Sequence, residues 1–94
     1  MSDHIDTFKH DYDTWYIYKE SDTSYSYQHW PDSQCGADMQ NKITITWENG
    51  AYTFDAQDYC EIYGSGGWNR WTSWEEELKD IILKDAMERI NNGT

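Results

Sequence analysis

The sequence predicts an α+β domain spanning residues 1–94: an antiparallel sheet of three or four strands with a long C-terminal helix packed on one face, and a short helix at the N-terminus. Three observations predict it. Apolar residues recur at steps of three and four over Thr72–Asn92, the period of a helix with one buried side. Residues alternate in character over Thr14–Lys19 and Ser24–Trp30, the period of strands. Lys42–Asp55 carries Asn49-Gly50 at its centre, the favoured pair for a two-residue type I′ hairpin turn.

Taken in order, Ile5, Phe8 and Tyr12 follow Ser2 at helical spacing, so residues 2–12 read as a short helix with a serine cap. Trp15 and Ile17 then point one way from a strand, Tyr16 and Tyr18 the other. Tyr25, Tyr27 and His29 oppose Ser and Gln residues in the next strand, which Pro31 ends. Pro31–Asn41 reads as a loop. Placing the turn at Asn49-Gly50 pairs Trp47 with Tyr52 and Ile45 with Phe54, so both arms of the hairpin present apolar residues to one face. That face, with Ile43, is where the C-terminal helix is expected to lie. Ala56–Tyr63 reads as a helical turn, and Gly64-Ser65-Gly66-Gly67 as a flexible connector. In the final helix Trp74, Leu78, Ile81, Ile82, Ala86 and Ile90 form the apolar side. Thr72 and Glu75 have the spacing of a capping box, and Asn91-Asn92-Gly93 is the stop.

Composition constrains what the chain can bind. The formal net charge is −11, with 18 acidic residues against seven Lys and Arg. Such a surface repels nucleic acid and anionic membrane and attracts a basic partner. Ile, Leu and Phe together number 12 and Val is absent, too few for an aliphatic core, but six Trp and eight Tyr can bury large apolar areas. The core is therefore expected to be aromatic, with the surplus Tyr and Trp left on a binding surface. Cys35 and Cys60 lack the number and spacing of a disulfide framework or a metal knuckle and read as reduced thiols. No apolar run is long enough to span a bilayer, and residues 1–20 lack the basic and apolar parts of a signal peptide, so a cytoplasmic protein is expected.

Candidate chemistry narrows accordingly. Tyr16, Tyr18, Tyr25 and Tyr27 would suit base stacking, but stacking modules need a cationic track that this chain lacks. His4 and His10, among Asp3, Asp6, Asp11 and Asp13, could gather a cation, yet their spacing matches no ligand motif, so no metal or cofactor is expected. Neither a Cys–His nucleophile nor a sheltered carboxylate pair is indicated, and no enzymatic activity is expected. The acids themselves remain. Glu75, Glu76 and Glu77 open the helix, where its dipole favours negative charge, and Asp80 and Glu88 extend them along the outer side. Four residues advance about 6 Å along a helix, close to the spacing of adjacent phosphates on one strand. With Glu48, Asp55, Asp58 and Glu61 this row could present a phosphate-like field to a basic groove.

Gly67-Trp68-Asn69, followed by Glu75-Glu76-Glu77-Leu78 and preceded by a meander with an Asn-Gly hairpin, resembles the small acidic phage-encoded anti-CRISPR proteins, in particular the type II-A inhibitors of Cas9 that mimic PAM DNA. The resemblance implies an inhibitor acting in the cytoplasm of an infected bacterium, as a monomer or small homo-oligomer. It would bind Cas9 or another CRISPR effector through Glu48, Asn49 and Gly50 at the hairpin, Trp68 and Asn69, and the acids Glu75, Glu76 and Glu77. The strand at Ser24–Trp30 and the loop after it depart from that pattern. The alternative expectation is an immunity-type or adaptor protein that binds a basic partner without imitating nucleic acid.

Overall fold

The computed structural model describes residues 4–30, 39–60, 68–70 and 74–92. Six strands follow one another in an antiparallel meander, and each pairs with its neighbour in sequence. They are β1 (Asp6–His10), β2 (Asp13–Ser21), β3 (Ser24–His29), β4 (Met39–Glu48), β5 (Ala51–Cys60) and β6 (Trp68–Arg70). A single helix, α1 (Glu76–Asn91), completes the described chain. The α+β class and the helix-on-sheet arrangement are as expected from the sequence; the strand number and the N-terminal helix are not.

The N-terminal segment is a strand because β1 and β2 form a tight hairpin, His10 facing Asp13 across the two-residue turn Asp11-Tyr12. Both turn residues have positive φ, 49° and 73°, the backbone of a type I′ turn. In this register Phe8 faces Trp15, and the two rings lie nearly parallel with centroids 6.3 Å apart. The spacing of Ile5, Phe8 and Tyr12 that suggested a helix is coincidental: Phe8 faces the core, while Ile5 and Tyr12 are exposed. Ala56–Cys60, expected as a helical turn, instead continues β5 against Met39–Ile43 of β4, so Met39–Asn41 also belongs to a strand. Trp68–Arg70 adds a sixth strand along β5. Residues 31–38 and 61–67, which include the rest of the expected loop and the glycine connector, lie outside the described residues.

The central hairpin follows its expected register, with Ile45 opposite Phe54 and Trp47 opposite Tyr52. Asn49 and Gly50 have φ of 54° and 81°, the left-handed backbone that this pair adopts cheaply. Strand alternation then sorts the sheet into two faces. One carries Trp15, Ile17, Tyr25, Tyr27, Ile43, Ile45 and Ala56, all buried. The helix seats Leu78, Ile82 and Ala86 on it, three residues spaced by four. Glu75 is the N-cap in extended conformation, and its side chain makes no capping hydrogen bond; Thr72 of the expected capping box lies outside the described residues.

The helix reaches strands on both flanks of the sheet. Arg89 reaches Asp6 on β1, while Trp74 and Lys79 meet Phe54 on β5. Those strands are separated by three others, so the contacts at the two ends of the helix tie it to both flanks of the sheet. Replacing Tyr12, fully exposed at φ 73°, by glycine removes the left-handed penalty at the β1–β2 turn. Chemical denaturation of Tyr12→Gly should show a gain of about 0.5–1 kcal/mol; a loss would contradict this hairpin.

Candidate partner-binding surface

The helix is held on the sheet by a chain of polar contacts as well as by its apolar side. Tyr27 donates its hydroxyl hydrogen to Asp85 Oδ2 at 2.5 Å, and Arg89 Nε donates to the same oxygen at 2.8 Å. Arg89 also donates to Asp6 Oδ2 at 2.9 Å. The route runs from β3 through the helix to edge strand β1. Burial, reinforced by the Asp85 carboxylate, pushes the Tyr27 phenol far above its ordinary range. Partial burial opposes the Arg89 charge, but Asp85 and Asp6 outweigh it and hold the guanidinium above its usual value. The Arg89 hydrogen bond, with the Thr7 N–H, draws the Asp6 carboxyl below the ordinary carboxylate range.

With the apolar side fixed, the rest of the helix faces outward. Glu76 and Asp80, four apart, lead this exposed front; Lys84 follows them, and Glu77 and Glu88 lie on the flank nearer β1. Asp11 at the turn and Asp13 on β2 stand at the same end as the helix start, because His10 lies between Asp11 and Glu75, 3.8 Å and 4.0 Å from their carboxylate oxygens. Among the 14 acids of the described residues, ten (Asp6, Asp11, Asp13, Asp58, Glu75, Glu76, Glu77, Asp80, Asp85 and Glu88) therefore lie on the helix side or at its β1–β2 end. Tyr12, fully exposed, projects among them.

The opposite face of the sheet differs in kind. It carries Ser, Thr and Gln side chains joined across strands: Ser26 donates to Glu20 at 2.7 Å, Gln40 donates to Gln28 at 2.6 Å, and Ser24 meets Thr46 at 2.9 Å. Alternation places Lys9, Lys42 and Arg70 there with Glu20, Glu48 and Asp55, so its charges balance. Tyr25 and Tyr27 are completely buried on the helix face, which removes them from any base-stacking platform. Tyr16 and Tyr18 remain half-buried on the open face, with His4 edge-on to both.

The sequence-derived site residues do not form one patch. Glu75, Glu76, Glu77, Asp80 and Glu88 share the exposed helix surface. Glu48, Asn49 and Gly50 are exposed at the hairpin tip near the helix C-terminus, where Tyr52 donates to Asn91. The 16-residue helix is about 24 Å long, so this tip and the helix-start acids stand at opposite ends. Trp68 and Asn69 sit on edge strand β6 opposite Tyr59 and Asp58, roughly 30 Å along β5 from Gly50. Asp55 belongs to the open face and Asp58 to the helix face, so neither extends the helical row; Glu61 lies outside the described residues. Sequence reasoning placed His10 among acids of its own segment. The structure adds Glu75 and Glu77 from the far end of the chain.

No protein-family model matches this chain, and neither a curated protein nor a solved structure is significantly similar to it. Among the described residues, no helix is long and apolar enough to cross a membrane.

The Asp6 contact has a defined pH signature. A carboxyl drawn below its unfolded value contributes stability above about pH 4 that is lost as pH falls through its lower folded value. The stability difference between wild type and Asp6→Asn should therefore be greatest near neutrality and shrink on acidification in pH-dependent urea melts. A difference that grows toward low pH would contradict the Arg89–Asp6 pair.

Proposed function

We propose that this chain is a non-enzymatic binding protein that occupies a basic, nucleic-acid-binding surface of another protein and blocks it. The observation that carries this reading is the sorting of charge: acids gather on the helix side, while the open sheet face is nearly neutral. The helix dipole accounts for Glu75–Glu77 at the helix start, but not for Asp80 and Glu88 further along the same exposed surface. Glu76 and Asp80 stand side by side as like charges, which costs a few tenths of a kcal/mol in an isolated helix and is recovered against Arg or Lys of a partner. Tyr12 offers an exposed aromatic beside the acids, of the residue type that anchors interfaces. Its strained backbone is of the kind found at functional positions.

The resemblance of Gly67-Trp68-Asn69 and Glu75–Glu77 to phage anti-CRISPR proteins makes the PAM-reading site of Cas9 the first candidate target. The chain would occlude that site from DNA by pairing its carboxylates with the arginines and lysines that hold phosphates and bases. Glu75–Glu77 and Asp80 are the residues that would make these pairs. The hairpin tip Glu48–Gly50 would reach a separate part of the partner, since it lies at the other end of the helix.

Association with a Cas9–guide complex, measured by surface plasmon resonance over a salt series, tests the reading. Wild type should bind competitively with PAM-containing DNA, and Glu76→Lys/Asp80→Lys should slow association by about tenfold or more and flatten its salt dependence. Absence of binding removes Cas9 as the target. Binding that DNA does not displace removes mimicry and leaves an adaptor or immunity-type protein. Binding kinetics that the double reversal leaves unchanged would remove the helix front from the interface.

A further inference from the structure

We propose that His10, Glu75 and Glu77 form a binding site for a first-row divalent transition ion, with Zn2+ the best fit. The inference stands on local geometry and is independent of the partner reading. One imidazole nitrogen and two carboxylate oxygens, one from each residue, all lie within 4.8 Å of one another. Exposed acids at a helix start need no ion to explain them, because the helix dipole suffices. The histidine is what the dipole leaves unexplained. Its side chain is only 9% exposed, and Nε2 is buried without a hydrogen-bond partner among the described residues. It points at the carboxylates, 4.0 Å from Glu75 and 3.8 Å from Asp11, too far for hydrogen bonds to either. Buried polar nitrogens are nearly always partnered, so this one is placed for a ligand that sits between it and the acids.

The backbone explains how two glutamates only two apart can converge. Residues i and i+2 diverge on a helix. Glu75, however, precedes the helix with φ −77° and ψ 142°, and this extended conformation turns its side chain back toward Glu77 and the β1–β2 turn. Tetrahedral Zn2+ with bonds of about 2.0–2.2 Å would hold its ligand atoms roughly 3.3 Å apart. The required closure is on the order of 1 Å, within reach of two exposed Glu side chains. Imidazole with carboxylates suits Zn2+ better than Mg2+ or Ca2+, which prefer an all-oxygen shell. Three protein ligands leave a position for water. Bound there, the ion would fasten the N-terminal hairpin to the start of the C-terminal helix and offset part of the local negative charge.

Calorimetric titration of the full chain with ZnCl2, with MgCl2 as control, tests this directly. One equivalent of Zn2+ should bind and raise Tm, and Mg2+ at the same concentration should do neither. Co2+ substitution should give weak visible bands without thiolate charge transfer, separating this site from Cys35 and Cys60. Glu77→Gln, at an exposed position, should keep the metal-free Tm and lower Zn2+ affinity at least about tenfold; His10→Gln should lose it equally. Absence of Zn2+ binding, a thiolate spectrum, or a Glu77→Gln variant that binds as well as wild type would overturn the proposal. If His10→Gln fails to fold, Glu77→Gln decides.

Discussion

Everything in this molecule follows from how one helix is seated on one face of the sheet. Leu78, Ile82 and Ala86 cover the face built from Trp15, Ile17, Tyr25, Tyr27, Ile43 and Ile45. Hydrophobic burial alone would tolerate some rotation or sliding of the helix, since it is not directional. The polar chain from Tyr27 through Asp85 and Arg89 to Asp6 is directional. It fixes which residues point inward, and by exclusion which point to solvent. A helix turned by one residue, about 100°, would bury acids and expose the aliphatic stripe.

The seating thereby acts as a charge sorter. Among the described residues the helix covers one face of the sheet, and the Ser, Thr and Gln side chains on the other are hydrogen-bonded across strands. Acids crowd onto the helix side instead, where repulsion is tolerated near the positive end of the helix dipole and beside Arg89. A basic partner surface, as proposed, would relieve that repulsion over the helix front; a divalent ion would relieve it at one point, around His10. Glu76 and Asp80 lie on the part of the helix away from His10, whereas Glu75 and Glu77 take part in both proposed roles.

The sequence was most legible where the local signal had a single physical meaning. Asn49-Gly50 specifies left-handed backbone at two consecutive residues, and the apolar alternation on either side admits one register; both appear as expected. The helix was legible because its apolar stripe repeats over four turns. The N-terminal segment misled because Ile5, Phe8 and Tyr12 fit a helical period by chance, and Asp11-Tyr12 carries no glycine to announce a turn. The second half of β5 misled because Tyr59, Ile62 and Tyr63 follow at helical spacing in the sequence, and only the pairing of Ala56–Cys60 with β4 decides for a strand. The candidate surface was half legible. The helix acids could be read from spacing, but the approach of His10 to Glu75 and of Asp6 to Arg89 joins distant parts of the chain, and no local pattern announces it.

Native-state hydrogen exchange on the free chain tests the seating most directly. The amides of Ile82–Met87 should exchange with the same free energy as those of the central strands β3 and β4, as one cooperative unit. Helix amides that exchange through a separate, lower-energy opening would contradict the account, because a helix that detaches from the sheet cannot fix the placement of the acids.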